Sequence, residues 1–108
     1  MSNEKIDIIE TAFENIDNIN ANAPSDVISA IQSTIDDIDI GNVRVAEKIN
    51  NEWVINQWIK KAILLYFRIN EMKLISGSPG ESQWWDKIDS KFKDWNEEKF
   101  TKAGFRAV

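Results

Sequence analysis

The residues of this sequence that could do chemistry are carboxylates, cations and tryptophans, because its 108 residues include neither histidine nor cysteine. That absence excludes a Ser-His-Asp triad, a Cys-His pair and any zinc site built from Cys or His within the chain. The best candidate for binding is Arg106, which follows Gly104 and lies between two apolar residues, Phe105 and Ala107. A guanidinium in an extended segment can form a bidentate pair with a carboxylate. A single arginine is no motif, however, and a surface arginine without a role is the simpler interpretation.

Two groups of charged residues suggest other sites. The acidic group comprises Asp36, Asp37 and Asp39, and the basic group comprises Lys60, Lys61 and Arg68. The acidic spacing does not fit a calcium loop, and adjacent residues on a helix point apart, so a solvated acidic face is the favoured interpretation. Since no glycine-rich loop precedes the basic group, we expect it to form salt bridges to the aspartates rather than to bind phosphate.

The tryptophans fall into two classes. Trp53 and Trp58 lie in segments that are predicted to build the core, so packing is their expected role. Trp84 and Trp85 lie beside the Gly/Pro-containing loop 76–82. Aromatic residues next to a loop are common at subunit contacts, and this pair is therefore a candidate for an interface.

The N-terminal third predicts two amphipathic helices. The first has one apolar face, formed by Ile6, Ile9, Phe13 and Ile16. The stretch 20–24 stops this helix, because Pro24 disfavours helical geometry in the residue before it. Ser25 is the expected N-cap of the second helix, and Gly41 is its expected left-handed C-terminal residue.

In the middle third of the chain, the spacing of apolar residues changes from a helical pattern to alternation. Residues 43–49 and 52–56 alternate between apolar and polar side chains, and Asn50-Asn51 between them predicts a β-hairpin. The helix that follows, 57–69 with Asn56 as its cap, is apolar nearly all round. We expect it to be the centre of the domain, covered by the hairpin and the first two helices.

The last third predicts short extended segments at 73–75 and 84–88. A final helix is predicted over 95–103, capped by Asp94 with Glu97 and ended by Gly104. The fold class is thus α+β, mainly α, in one small domain spanning 1–108. The apolar segment 105–108 lacks a polar stop, and we expect the natural polypeptide to continue beyond it.

The overall composition is that of a soluble globular protein, with 43% apolar and 29% charged residues. The net charge of −5 argues against nucleic acid or an anionic membrane as the main partner. The amphipathic N-terminus is not a signal peptide, and the longest apolar run, 62–67, is far too short to span a membrane. These features predict a cytoplasmic protein.

Several segments resemble one enzyme family. The sequences are IIETAFE (8–14), RVAEKINNEWVINQWIKKAILLYFRIN (44–70), WWDKI (84–88) and the closing F-x-K-x-GFR (100–106). Together they are similar to the N-terminal domain of tetrahydrodipicolinate N-succinyltransferases. Departures from the family pattern are peripheral: Asn51 stands where a turn glycine is frequent, and Ala107 replaces a bulkier apolar residue.

The resemblance implies a cytoplasmic homotrimer that transfers succinyl from succinyl-CoA to a dicarboxylate amine in lysine and diaminopimelate biosynthesis. It also implies a second domain, a left-handed β-helix absent from these 108 residues, which holds the coenzyme A site and the catalytic acids. Within this chain it implies no catalytic residue, cofactor site or metal site. Arg106 matches the family's arginine that grips a substrate carboxylate. The fragment alone is therefore expected to be inactive.

Two other functions remain open at the level of sequence. One is a freestanding, non-catalytic helical interaction module derived from that domain, for which a stop codon after Val108 would be evidence. The other is a small dicarboxylate-binding protein. That function needs a second cation near Arg106, and Lys102, four positions earlier, is the nearest candidate.

Overall fold

The computed structural model describes residues 3–77 and 79–108 and has an α+β fold that is mainly helical, as the sequence predicts. The helices are α1 (Asn3–Glu14), α2 (Ser25–Asp39), α3 (Gln57–Ile69) and α4 (Glu97–Ala103). The strands are β1 (Ala46–Ile49), β2 (Glu52–Ile55), β3 (Lys73–Ile75) and β4 (Trp84–Asp86). The chain forms two compact units, 1–71 and 72–108.

The core of the first unit lies among α1, α2 and α3, which pack against one another in all three pairs. Ile9 of α1, Ile31 of α2 and Leu65 of α3 are fully buried there. Full burial of such a side chain stabilises the fold by about 1.5–3 kcal/mol. The apolar periodicity thus predicted the buried faces of α1 and α2. Helix α3, predicted to be apolar nearly all round, buries one side and leaves Leu64 and Phe67 exposed.

Helix α2 differs from the prediction at its N-terminal end but not at its C-terminal end. The N-cap is Pro24, whose carbonyl accepts hydrogen bonds from Val27 and Ile28, both at 3.1 Å. Ser25, the predicted cap, is instead the first helical residue. Pro24 has a φ of −54°, which is compatible with a helix, but its ψ of 148° is extended, and this makes Pro24 the non-helical residue before the helix. At the other end Gly41 has φ +82°, the left-handed conformation predicted for it.

The first hairpin forms as predicted, but it does not bury its tryptophan. Asn50 and Asn51 have φ values of 51° and 66°, as a tight two-residue turn requires. Trp53, however, is 70% exposed opposite Lys48, and Ile55 on the same face is also exposed. The prediction that the hairpin covers α3 through Trp53 is therefore wrong. A two-stranded sheet has two faces, and the sequence pattern does not say whether either is covered.

The predicted salt bridges between the basic group and the aspartates of α2 are also wrong. Lys61 pairs with Glu10 of α1 at 2.6 Å, and Arg68 donates hydrogen bonds to the backbone carbonyls of Asp17 and Ile19. The physical reason is that these α3 side chains face α1 and the turn after it. Asp37 pairs instead with Lys5 of α1.

The second unit combines the β3–β4 hairpin with α4. Both strands were predicted, and they pair antiparallel with Leu74 opposite Trp85. Helix α4 begins two residues later than predicted, because its N-cap is Asn96 rather than Asp94. The Asn96 side chain accepts a hydrogen bond from the Lys99 amide at 2.9 Å. None of the described residues of 72–108 is fully buried, and aromatic packing holds this unit together.

Candidate functional site

The backbone after α4 determines where Arg106 lies. Gly104 has φ +75°, a conformation that residues with a Cβ adopt only with strain, and it ends the helix. Its amide donates to the carbonyl of Phe100 at 3.0 Å, which closes the last helical turn. The sequence predicted that Gly104 ends the helix, and Phe105 and Arg106 after it are no longer helical.

Phe105 fixes the start of this exit segment through an aromatic cluster, formed by Phe92, Trp95, Phe100 and Phe105. The ring centroid of Phe105 lies 5.4 Å from that of Phe92 and 6.1 Å from those of Trp95 and Phe100. Such tilted and edge-to-face geometries contribute beyond the area they bury. The sequence analysis missed the cluster as a unit, since its members lie in a loop, a helix and an exit segment, although their aromatic type was a usable signal.

Arg106 itself is exposed at a shallow groove of about 450 Å³, lined with Phe100, Thr101, Gly104 and Phe105. Within residues 3–77 and 79–108 it makes no hydrogen bond or ion pair. Its guanidinium therefore has all its donors available for an external anion. Lys102, the predicted second cation, is exposed on α4 and is not among the groove-lining residues.

The other sequence candidates lie elsewhere or have structural partners. Lys5 binds Asp37 at 2.8 Å, and this hydrogen bond, assisted by one from Asn42, holds the pKa of the Asp37 carboxyl below its usual value. Asp36 accepts a hydrogen bond from Gln32. Across the described parts of the chain, no three acidic side chains come together as a metal site would require.

The tryptophan pair is exposed on the second hairpin. Trp85 is 65% exposed and lies directly opposite Leu74, which is exposed to a similar degree. Trp84 pairs with the half-buried Ile75 on the other face. These exposures leave the interface role of the pair a prediction.

An ion triad near the hairpin was not anticipated from the sequence. The Asp89 carboxylate forms salt bridges with the Nζ atoms of Lys73 at 2.9 Å and Lys93 at 3.6 Å. The hydrogen bond from Lys73 is the main reason why the pKa of Asp89 lies below its usual value. The spacing of Asp89 and Lys93 could have indicated one of the two pairs.

A protein-family model matches most of the first unit of the chain. Residues 5–69 match the model described as tetrahydrodipicolinate N-succinyltransferase N-terminal, which is more than half of the chain. The chain belongs to this family. The matched range holds α1, α2, the first hairpin and α3, and it ends before the segment that carries Arg106.

Curated relatives extend the match over nearly the whole chain. The 2,3,4,5-tetrahydropyridine-2,6-dicarboxylate N-succinyltransferase of Agrobacterium fabrum is 52% identical over 102 residues, 94% of this chain and 36% of the relative. The enzymes of that name from Rhizobium rhizogenes and Parvibaculum lavamentivorans are 50% and 51% identical, covering 93% and 94% of this chain. The chain thus spans about a third of the length of these relatives, at 35–36%.

In the part of the chain that the structure describes, none of the helices combines the length and the apolar character needed to cross a bilayer.

Proposed function

We propose that this chain is the N-terminal domain of an acyltransferase in lysine and diaminopimelate biosynthesis. The enzyme would move succinyl from succinyl-CoA to the amine that tetrahydrodipicolinate exposes when water opens its ring, with free coenzyme A as the leaving group. The observation that carries the proposal is the 52% identity over 94% of the chain to a relative of that name. The working enzyme is proposed to be a cytoplasmic homotrimer. The acyl donor site and the proton-transfer groups are assigned to the portion of the enzyme that this chain does not include.

Within this domain, the proposed role of Arg106 is to bind one carboxylate of the substrate. Two parallel N–H donors of a guanidinium match the two oxygens of a carboxylate, which fixes the orientation of the substrate as well as its position. The exposed, unpaired state of Arg106 and the anchoring of Phe105 beside it support this role. The residue binds and orients; it supplies no base or nucleophile, since an arginine stays protonated.

A chimera tests the role of Arg106. Residues 1–108 replace the matching N-terminal third of the Agrobacterium fabrum enzyme, and steady-state kinetics are measured for both substrates. Loss of a charge-assisted bidentate contact in Arg106→Met is expected to raise the KM for the dicarboxylate by about 10- to 100-fold. The KM for succinyl-CoA is expected to stay the same. Arg106→Lys keeps the positive charge but not the two parallel donors, so its KM for the dicarboxylate is expected to lie between those of the unmodified chimera and Arg106→Met.

The matched control is Lys102→Met, which removes a neighbouring exposed positive charge. It is expected to leave the KM for the dicarboxylate within about twofold, since an exposed charge contributes little. An Arg106→Met chimera with unchanged dicarboxylate KM would contradict the assigned role. A large effect of Lys102→Met would instead favour a two-cation carboxylate site.

The isolated 108-residue chain is expected to show no transferase activity, because the proposed acyl donor site lies outside it. The measurement is the release of free coenzyme A thiol in the presence of both substrates, with the active chimera as the positive control. Turnover by the purified chain would show that the donor site lies within these residues.

Light scattering of the chimera is expected to give three times the protomer mass.

A further inference from the structure

A groove on the first unit has no part in the proposed function. It lies between α1, the 3₁₀ turn Ile16–Asn18 and the start of α2, has a volume of about 640 Å³, and is called here the α1–α2 groove. Its lining lies entirely within residues 4–27. A groove of this size is comparable in volume with established ligand sites.

The floor of the α1–α2 groove is apolar. It is formed by Ile8, Ala12, Ile19 and Val27. Ala12 and Ile19 are buried beneath it, whereas Ile8 and Val27 remain half-exposed and offer apolar surface to an incoming side chain. Covering this surface would remove it from water, which favours binding of an apolar group.

The rim is acidic and uncompensated. It carries Glu4, Asp7 and Asp26, and the lining contains no lysine or arginine. None of these three carboxylates makes an ion pair or hydrogen bond within the described residues. Glu10 on the same helix, by contrast, is paired with Lys61.

Two of the rim carboxylates also repel each other. Glu4 and Asp7 are three residues apart on α1 and therefore share a face, where like charges repel. Glu4 and Asp26 lie in first helical turns, which the helix dipole explains. Asp7 lies beyond the first turn, so the dipole does not account for it. A cation at the groove would relieve the repulsion.

We propose that the α1–α2 groove docks a segment of a partner protein in which apolar side chains are flanked by lysines or arginines. The apolar floor supplies the anchor site, and the three rim carboxylates select for positive flanks. The same charges disfavour nucleic acid and anionic lipid. The proposal does not depend on Arg106.

The test uses the 108-residue chain and three fluorescent peptides, acetylated and amidated. The first has the sequence Lys-Lys-Leu-Leu-Lys-Lys, the second has Glu in place of every Lys, and the third has Ser in place of every Leu. The first peptide is expected to bind, with NMR shift changes centred on the amides of Ile8, Ala12 and Val27. The other two are expected to bind at least about tenfold more weakly, since each lacks one of the two contacts.

Matched charge reversals separate docking from general attraction to an acidic protein. Asp7→Lys and Glu52→Lys change the net charge equally, but Glu52 lies on β2, outside the groove. Asp7→Lys is expected to weaken peptide binding about fivefold or more, and Glu52→Lys to change it less than about twofold. Thr11→Trp, which fills the groove, is expected to abolish binding while the helical circular dichroism is retained. Equal effects of the two reversals, or shift changes centred on another surface, would overturn the proposal.

Discussion

At the scale of single residues, the position of each cation decides which carboxylate it stabilises. Lys5 donates to both Asp37 and Ser33, at 2.8 Å and 2.9 Å, and so links α1 to α2. No sequence spacing predicts this pair, because 32 positions separate its members and only the packing of the helices brings them together. The same reason explains why Lys61 pairs with Glu10 and not with the aspartates of α2.

This pairing predicts an acid-dependent stability. The pKa of Asp37 is lower in the folded chain than in the unfolded chain, mainly through the Lys5 hydrogen bond. The stabilisation is therefore present above the usual aspartate pKa and is lost as the pH falls through the lowered value. Lys5→Met is expected to raise the pKa of Asp37 and to lower the urea midpoint at neutral pH but not in strong acid. Carboxyl NMR titration and urea denaturation measure the two effects.

The control for this prediction is Lys48→Met, which removes an exposed lysine of β1. It is expected to leave the pKa of Asp37 unchanged. If the Asp37 titration were the same in Lys5→Met as in the parent chain, the pair would have no electrostatic role.

At the scale of elements, the sequence predicts what is local and misses what is not. Apolar spacing predicted the helices α1, α2 and α3 and the buried faces of the first two, because helical periodicity can be recognised from residues close together in the sequence. The cap of α4 was displaced by two residues, since Asp94 and Asn96 are both good caps by type. Trp53 was misplaced because whether a hairpin face is covered depends on distant elements. Arg106 was a candidate from its position after Gly104, but only the family resemblance favoured a binding role over a surface arginine without one.

The position of the α4 cap can be tested by a pair of variants. Asn96→Ala removes the acceptor of the Lys99 amide and is expected to destabilise the helix by about 1 kcal/mol. Hydrogen exchange of the Phe100–Ala103 amides measures this loss locally. Asp94→Ala, at the position predicted from the sequence, is expected to change the opening free energy of these amides by less than about 0.5 kcal/mol. The reverse order of effects would place the cap at Asp94.

At the scale of the whole molecule, full burial is confined to the first unit, as far as the described residues extend. The three-helix core there should therefore determine the global stability of that unit, while residues 72–108 depend on half-buried aromatic packing. The α1–α2 groove also belongs to this scale. It is formed by side chains from two helices and a turn, so no single pattern in the sequence predicted it.

Two adjacent leucines of α3 provide the sharpest test of this core. Leu65 is fully buried and Leu64 is 41% exposed, although the residue type and the helix are the same. Leu65→Ala is expected to lower the free energy of unfolding by about 2–5 kcal/mol, because the cavity cannot be filled by the surrounding helices. Leu64→Ala is expected to cost no more than about 1 kcal/mol, since water already covers much of the side chain. Urea denaturation followed by far-UV circular dichroism measures both, and equal losses would mean that α3 presents a different face to α1 and α2.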